Sequence, residues 1–103
     1  MKPYISIVIP AYNSERTIGK AIETCQTQDY PHDRFEIIIV NDGSRDGTEK
    51  IIKSYDVRYI CQENKGPASA RNTGWKNAKG DYVFFLDSDC IPDRDWLSKT
   101  MAH

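Results

Sequence analysis

The chain has 103 residues, 14 Lys+Arg against 15 Asp+Glu, a formal net charge of -1, and 39% hydrophobic residues. That length supports one small domain, and its apolar share excludes a disordered tail. Balanced charge leaves no basic excess for neutralising phosphates, which argues against a nucleic-acid partner.

The chain alternates between strand and helix signals. Tyr4 to Ile9 is a β-branched run ended by Pro10. Ile18, Ala21, Ile22 and Cys25 follow at i, i+3, i+4, i+7, one face of a helix for which Asn13 or Ser14 is the expected cap. Phe35 to Val40 contains four consecutive aliphatics, the mark of a strand covered on both faces. Asn41-Asp42-Gly43-Ser44 is turn chemistry, and Asp46 with Glu49 resembles a capping box opening a helix through Ile51, Ile52 and Tyr55. Val57 to Cys61 alternates as an edge strand does. Gly66-Pro67 opens a third helix whose Ala70, Gly74 and Ala78 form a small-residue stripe suited to close packing on a sheet, with Gly80 as its expected stop. Tyr82 to Leu86 reads as a fourth, buried strand, and Asp93 as the cap of a last helix carrying Trp96, Leu97 and Met101.

Connections this long join parallel strands, so the fold class is α/β: a three-layer, mostly parallel, Rossmann-like sheet with helices on both faces. Strand order 3-2-1-4 would create a crevice between strands one and four. Pro10-Ala11-Tyr12-Asn13, Asn41-Asp42-Gly43-Ser44 and Asp87-Ser88-Asp89 would converge there from three strand ends.

Several of these residues admit two readings. With ten aspartates in the chain, chance gives about one D-x-D match, and Asp93-Arg94-Asp95 reads as helix-start acids. Asp87 and Asp89 instead end the most hydrophobic strand, where two close carboxylates need a compensating cation or donor. Their hard oxygens suit Mg²⁺ or Mn²⁺, the alternative being solvated acids at a turn. Asp42 fits an Asx turn, a hydrogen bond to a nucleobase N–H, or both. Arg71 is either a solvated arginine or a diphosphate partner. Asn64 and Lys65 are weaker candidates in the loop before it, and Tyr12 suits stacking on a base or closing the core.

Cys25, Cys61 and Cys90 match no zinc or redox spacing, and a disulfide framework would leave one unpaired. Reduced thiols in a cytoplasmic protein are the expectation. His32 and His103 lie in a Pro-Asp loop and at the terminus, which disfavours a histidine metal site. Apolar stretches of about five or six residues fall short of the ~20 that cross a bilayer, and no signal-peptide pattern opens the chain. Walker A and G-x-G-x-x-G patterns are missing, which disfavours a P-loop enzyme or an ordinary dinucleotide-binding domain.

Ile5 to Asn13, Glu36 to Thr48, Asn64 to Asn72 and Gly80 to Asp89, in that order and spacing, resemble family 2 glycosyltransferases over nearly the whole chain. The resemblance implies a GT-A fold and inverting, metal-dependent sugar transfer from a nucleotide-diphosphate donor of UDP or GDP type. Pro10, Ala11, Tyr12 and Asn13 would line the nucleoside pocket, Asp42 would contact the base, and Arg71 would lie near the nucleotide. Asp87 and Ser88 would face the ribose or diphosphate, and Asp89, with Asp87, would hold Mn²⁺ or Mg²⁺. Asn41 departs from the second aspartate that many members carry.

The family's general base and acceptor pocket lie beyond the D-x-D strand. Residues 1–103 are therefore expected to form a single domain, the donor-binding half of a larger enzyme, inactive alone. A glycan or lipid acceptor, and any attachment to the cytoplasmic face of a membrane, would belong to the full-length protein. Such a half would leave residues 82–86 as an open edge prone to self-association. A non-catalytic nucleotide-sugar binding module and a nucleotidyltransferase are the alternatives, the latter disfavoured because Asn13-Ser14-Glu15 is neither glycine-rich nor basic.

Overall fold

A computed structural model describes residues 2–102. The strands are β1 (Ile5–Ala11), β2 (Phe35–Asp42), β3 (Arg58–Gln62) and β4 (Tyr82–Phe85). They form one four-stranded sheet in the order β3-β2-β1-β4, every pair parallel. The helices are α1 (Ile18–Gln26), α2 (Thr48–Lys53), α3 (Pro67–Asn77) and α4 (Trp96–Met101), with a 3₁₀ turn over His32–Arg34.

Strand alternation divides the core in two. Ile5, Ile7, Ile9, Ile37 and Ile39 pack with Ile18, Ile22, Ile52 and Leu97 beneath α1, α2 and α4. Val8, Ile38 and Val40 point the other way, against Ala70 of α3. The two helical layers expected from the sequence are therefore present. The small-residue stripe explains how close α3 lies: a Cβ on Gly74 would stand 2.2 Å from Val8 Cγ1, so only glycine lets the helix seat there.

One polar network interrupts the α3 face. Glu36 accepts hydrogen bonds from Ser6 Oγ (2.6 Å), Arg58 Nη1 (2.8 Å) and Lys79 N–H (2.8 Å), while Gly80 N–H donates to Ser6 Oγ. Burial pushes the Glu36 carboxyl up, but these donors outweigh it and hold its pKa below the ordinary glutamate value. The network fixes the connection between α3 and β4.

Local details differ from the sequence expectations. β4 is not the buried strand its apolar run suggested but the open edge expected of a donor-binding half, with Tyr82 and Phe85 51% and 45% exposed, because nothing described pairs with its outer side. α1 begins after Thr17 with no side-chain cap; Ser14 supplies its main-chain carbonyl to Thr17 and Ile18, and Asn13 turns toward Arg45. At α2 the Asp46 carboxylate accepts the Thr48 N–H, but Glu15, not Glu49, accepts the Gly47 N–H. Glu49 instead accepts from the Tyr59 hydroxyl. α3 ends at Asn77 with Ala78 already extended, before Gly80 is reached. At α4 the carbonyl of Asp93, not its carboxylate, accepts the Trp96 N–H.

Candidate functional site

The carboxyl ends of β1, β2 and β4 open onto one cleft of about 810 Å³. Pro10, Ala11, Tyr12, Asn13, Asp42, Arg71, Asp87, Ser88 and Asp89 all line it. These nine residues therefore meet at one place, at the topological switch of an open parallel sheet, and Asn64 joins them, whereas Asn41, Gly43, Ser44 and Lys65 do not line the cleft.

Strand parity separates the adjacent Asn41 and Asp42. Asn41 faces α2, buried, where its amide donates to the Tyr59 hydroxyl at 3.0 Å and its carbonyl oxygen accepts the Ser44 N–H at 3.0 Å. The Asx turn expected of Asp42 thus belongs to Asn41. Asp42 faces α3 and is 3% exposed. Its carboxylate accepts from Gln62 Nε2 (2.8 Å), Lys65 N–H (2.9 Å), Gly66 N–H (2.9 Å) and Asn64 Nδ2 (3.3 Å). Burial raises its pKa, and the bonds from Gln62, Lys65 and Gly66 more than reverse that, leaving it below the usual aspartate value. Gly43 between these loops has φ +72, and a Cβ there would lie 2.7 Å from Asn64 N.

The segment after β1 is pinned to the segment after β2. Asn13, with φ 47, takes its N–H to Ser44 Oγ at 2.9 Å and accepts the Arg45 N–H at 2.8 Å. Ser14 N–H donates to Thr48 Oγ1 at 2.7 Å, and its hydroxyl meets Ser88 Oγ at 2.8 Å. These bonds hold the loop rigidly while Tyr12 stays 49% exposed, so its ring closes no core and is free to stack. Arg71 lies in the first turns of α3, partly exposed, and makes no ion pair among the described residues.

Past β4, Cys90 N–H donates to the Asp87 carbonyl at 3.0 Å and closes a turn. One ligand atom from each of Asp87, Asp89 and Cys90 lies within 4.8 Å of the others. Both carboxylates are exposed toward the cleft, so they offer hard oxygen donors with room for phosphate oxygens to complete the shell. The donor set fits a divalent cation.

Residues 6–103 match the model of glycosyl transferase family 2. The chain belongs to this family. It is 36% identical over 106 residues to glycosyltransferase AglE of Haloferax volcanii, covering 97% of this chain and 35% of AglE. Among solved structures, TarS 1-349 of S. aureus in complex with UDP-GlcNAc is 33% identical with a TM-score of 0.89, covering 99% of this chain and 30% of that one. The mannosyltransferase PcManGT of Pyrobaculum calidifontis, in complex with GDP-Man and Mn²⁺, is 29% identical with a TM-score of 0.82, covering 91% and 30%. The family 2 chain thus spans about a third of the length of these relatives. Its parallel sheet is that of the GT-A enzymes.

Sequence reasoning missed Arg16 as a cleft residue and Gln62 as a partner of Asp42, and it ranked Asn64, which lines the cleft, only as a weaker candidate. The signal for Gln62 was parity, since β3 places it on the same face as Asp42, at the paired register position.

Proposed function

We propose that this chain forms the donor side of an inverting, divalent-metal-dependent glycosyltransferase that moves a sugar from a nucleoside diphosphate to an acceptor hydroxyl in glycan or polysaccharide synthesis. The observation that carries the reading is that Asp42, Arg71, Asp87 and Asp89 line one cleft at the ends of parallel strands. The UDP-GlcNAc bound to TarS and the GDP-Man with Mn²⁺ bound to PcManGT support it.

Residues 10–13 floor the nucleoside pocket, with the exposed Tyr12 ring available to the base. A carboxylate has about four lone-pair sites. Loop donors occupy those of Asp42, so it shapes the pocket wall, and a direct bond to a base N–H requires the long Asn64 contact to yield. Arg71 lines the same cleft, where its guanidinium would suit bidentate donation to diphosphate oxygens. Ser88, braced by Ser14, orients the turn that presents Asp87 and Asp89 to Mn²⁺ or Mg²⁺. When bound, such an ion stabilises negative charge on the leaving diphosphate as a Lewis acid.

The general base that takes the acceptor proton, and the glycan or lipid acceptor pocket, are assigned to the part of the relatives that this chain does not span. Residues 1–103 alone then bind donor without transferring sugar. The open β4 edge, with Tyr82 and Phe85 exposed, favours self-association of that piece. A cytoplasmic setting suits both the free thiols and a nucleotide-sugar donor. Among the described residues, no helix is long and apolar enough to cross a membrane.

Asp89→Ala in the full-length protein tests the reading. Metal-dependent sugar transfer is expected to vanish; transfer at the original rate would refute it.

A further inference from the structure

The turn after β4 carries a group that the donor reading leaves idle. Cys90 follows directly on the cleft residues Asp87, Ser88 and Asp89, and its N–H bond to the Asp87 carbonyl folds the chain back. That return brings a sulfur to the acidic pair, all three ligand atoms lying within 4.8 Å of one another. Ligand atoms sharing one ion at about 2.0–2.3 Å sit roughly 3–4.5 Å apart, so small side-chain rotations close the set around a cation. The other cysteines are elsewhere: Cys25 lies on the buried face of α1, and Cys61 lies on β3.

Resting on the metal-dependent reading above, we propose that Cys90 is a third protein ligand of the divalent ion and sets which ion this site prefers. Two carboxylates alone form an all-oxygen site suited to Mg²⁺, which keeps several waters and takes phosphate oxygens. A sulfur donor changes that balance. Thiolate is a soft ligand that favours Mn²⁺ over Mg²⁺, and Co²⁺, Zn²⁺ or Cd²⁺ over both. As the sulfur–metal bond forms, the thiol proton passes to solvent. Ser14 steadies the geometry through its 2.8 Å contact with Ser88, in the middle of the ligand turn. The serine therefore sets where the ligands stand, and the cysteine sets which cation they hold.

The test is direct metal binding to the purified protein with UDP or GDP present, comparing wild type, Cys90→Ser, Cys61→Ser and Asp89→Asn. Co²⁺ is followed by its sulfur-to-metal charge-transfer absorption, and Mn²⁺ and Mg²⁺ by calorimetry. The wild type and Cys61→Ser are expected to show the absorption band, and Cys90→Ser to lose it. The preference for Mn²⁺ over Mg²⁺ should fall about tenfold in Cys90→Ser, the low end of what losing even an outer-shell partner costs. Cys90→Ser retaining both the band and the preference would overturn the proposal while leaving the metal reading intact. Unchanged Mn²⁺ affinity in Asp89→Asn would overturn the metal reading itself, and this inference with it.

Discussion

The Asp42 carboxylate accepts the Gly66 N–H at 2.9 Å, so the last residue of β2 holds the loop that launches α3. One buried side chain thereby couples the sheet to the helix carrying Arg71. Asp42→Ala removes the acceptor of the Lys65 and Gly66 N–H groups and is expected to destabilise the fold by about 1–3 kcal/mol. Urea denaturation monitored by circular dichroism measures it. An unchanged midpoint would show that the loop stands without Asp42.

The same bonds set an acid dependence. Asp42 and Glu36 both have folded pKa values held below their ordinary ones. The stability they contribute is present above the unfolded-state pKa values, about 3.9 and 4.3, and is lost as pH falls through the lower folded values. Stability should therefore decline below about pH 4, and Glu36→Gln should flatten that decline. Melting temperatures of both proteins between pH 7 and pH 3 decide it, parallel curves counting against the Glu36 network.

α3 is seated by absence of a side chain. Gly74→Ala places a methyl 2.2 Å from Val8 Cγ1. Overpacking of this kind costs about 1–3 kcal/mol, against a helix-propensity gain of about 1 kcal/mol. Net destabilisation is expected, together with weaker nucleotide binding because Arg71 shifts with the helix. Val8→Ala in the Gly74→Ala background should recover part of the loss, since it removes the atom that is struck.

Much of this was legible in the chain because parallel α/β architecture is written in coarse periodicity. Four apolar runs separated by helical spacing set the sheet, and the residues after β1, β2 and β4 had to meet once the order was 3-2-1-4. What escaped was local competition for hydrogen bonds. Asn41 and Asp42 are both turn formers, and only strand parity decides that Asn41 makes the turn while Asp42 holds a loop 22–24 residues away. Side-chain caps failed for the same reason: the Asn13 amide oxygen and the Ser14 hydroxyl found partners 32 and 74 residues on, rather than in the first turn of α1. The apolar run Val83 to Phe85 reads by itself as a buried strand, and only the family resemblance pointed to the open edge at which β4 sits.

That edge gives a prediction of its own. Tyr82 and Phe85 expose large apolar surface beside unpaired main-chain groups. Residues 1–103 should self-associate at high concentration, and Phe85→Lys should restore the monomer, since a charged edge resists strand pairing. Light scattering across a concentration series checks this, and a monomer throughout would contradict it.

The central claim is that acidic side chains at the ends of β2 and β4 frame a metal-assisted diphosphate site. Thermal-shift measurements with UDP and GDP, each with and without Mn²⁺, test it most directly. At least one nucleotide should raise the melting temperature in a Mn²⁺-dependent way, with the dependence abolished in Asp89→Ala. A shift that ignores both the metal and Asp89, or no shift with either nucleotide, would contradict the account.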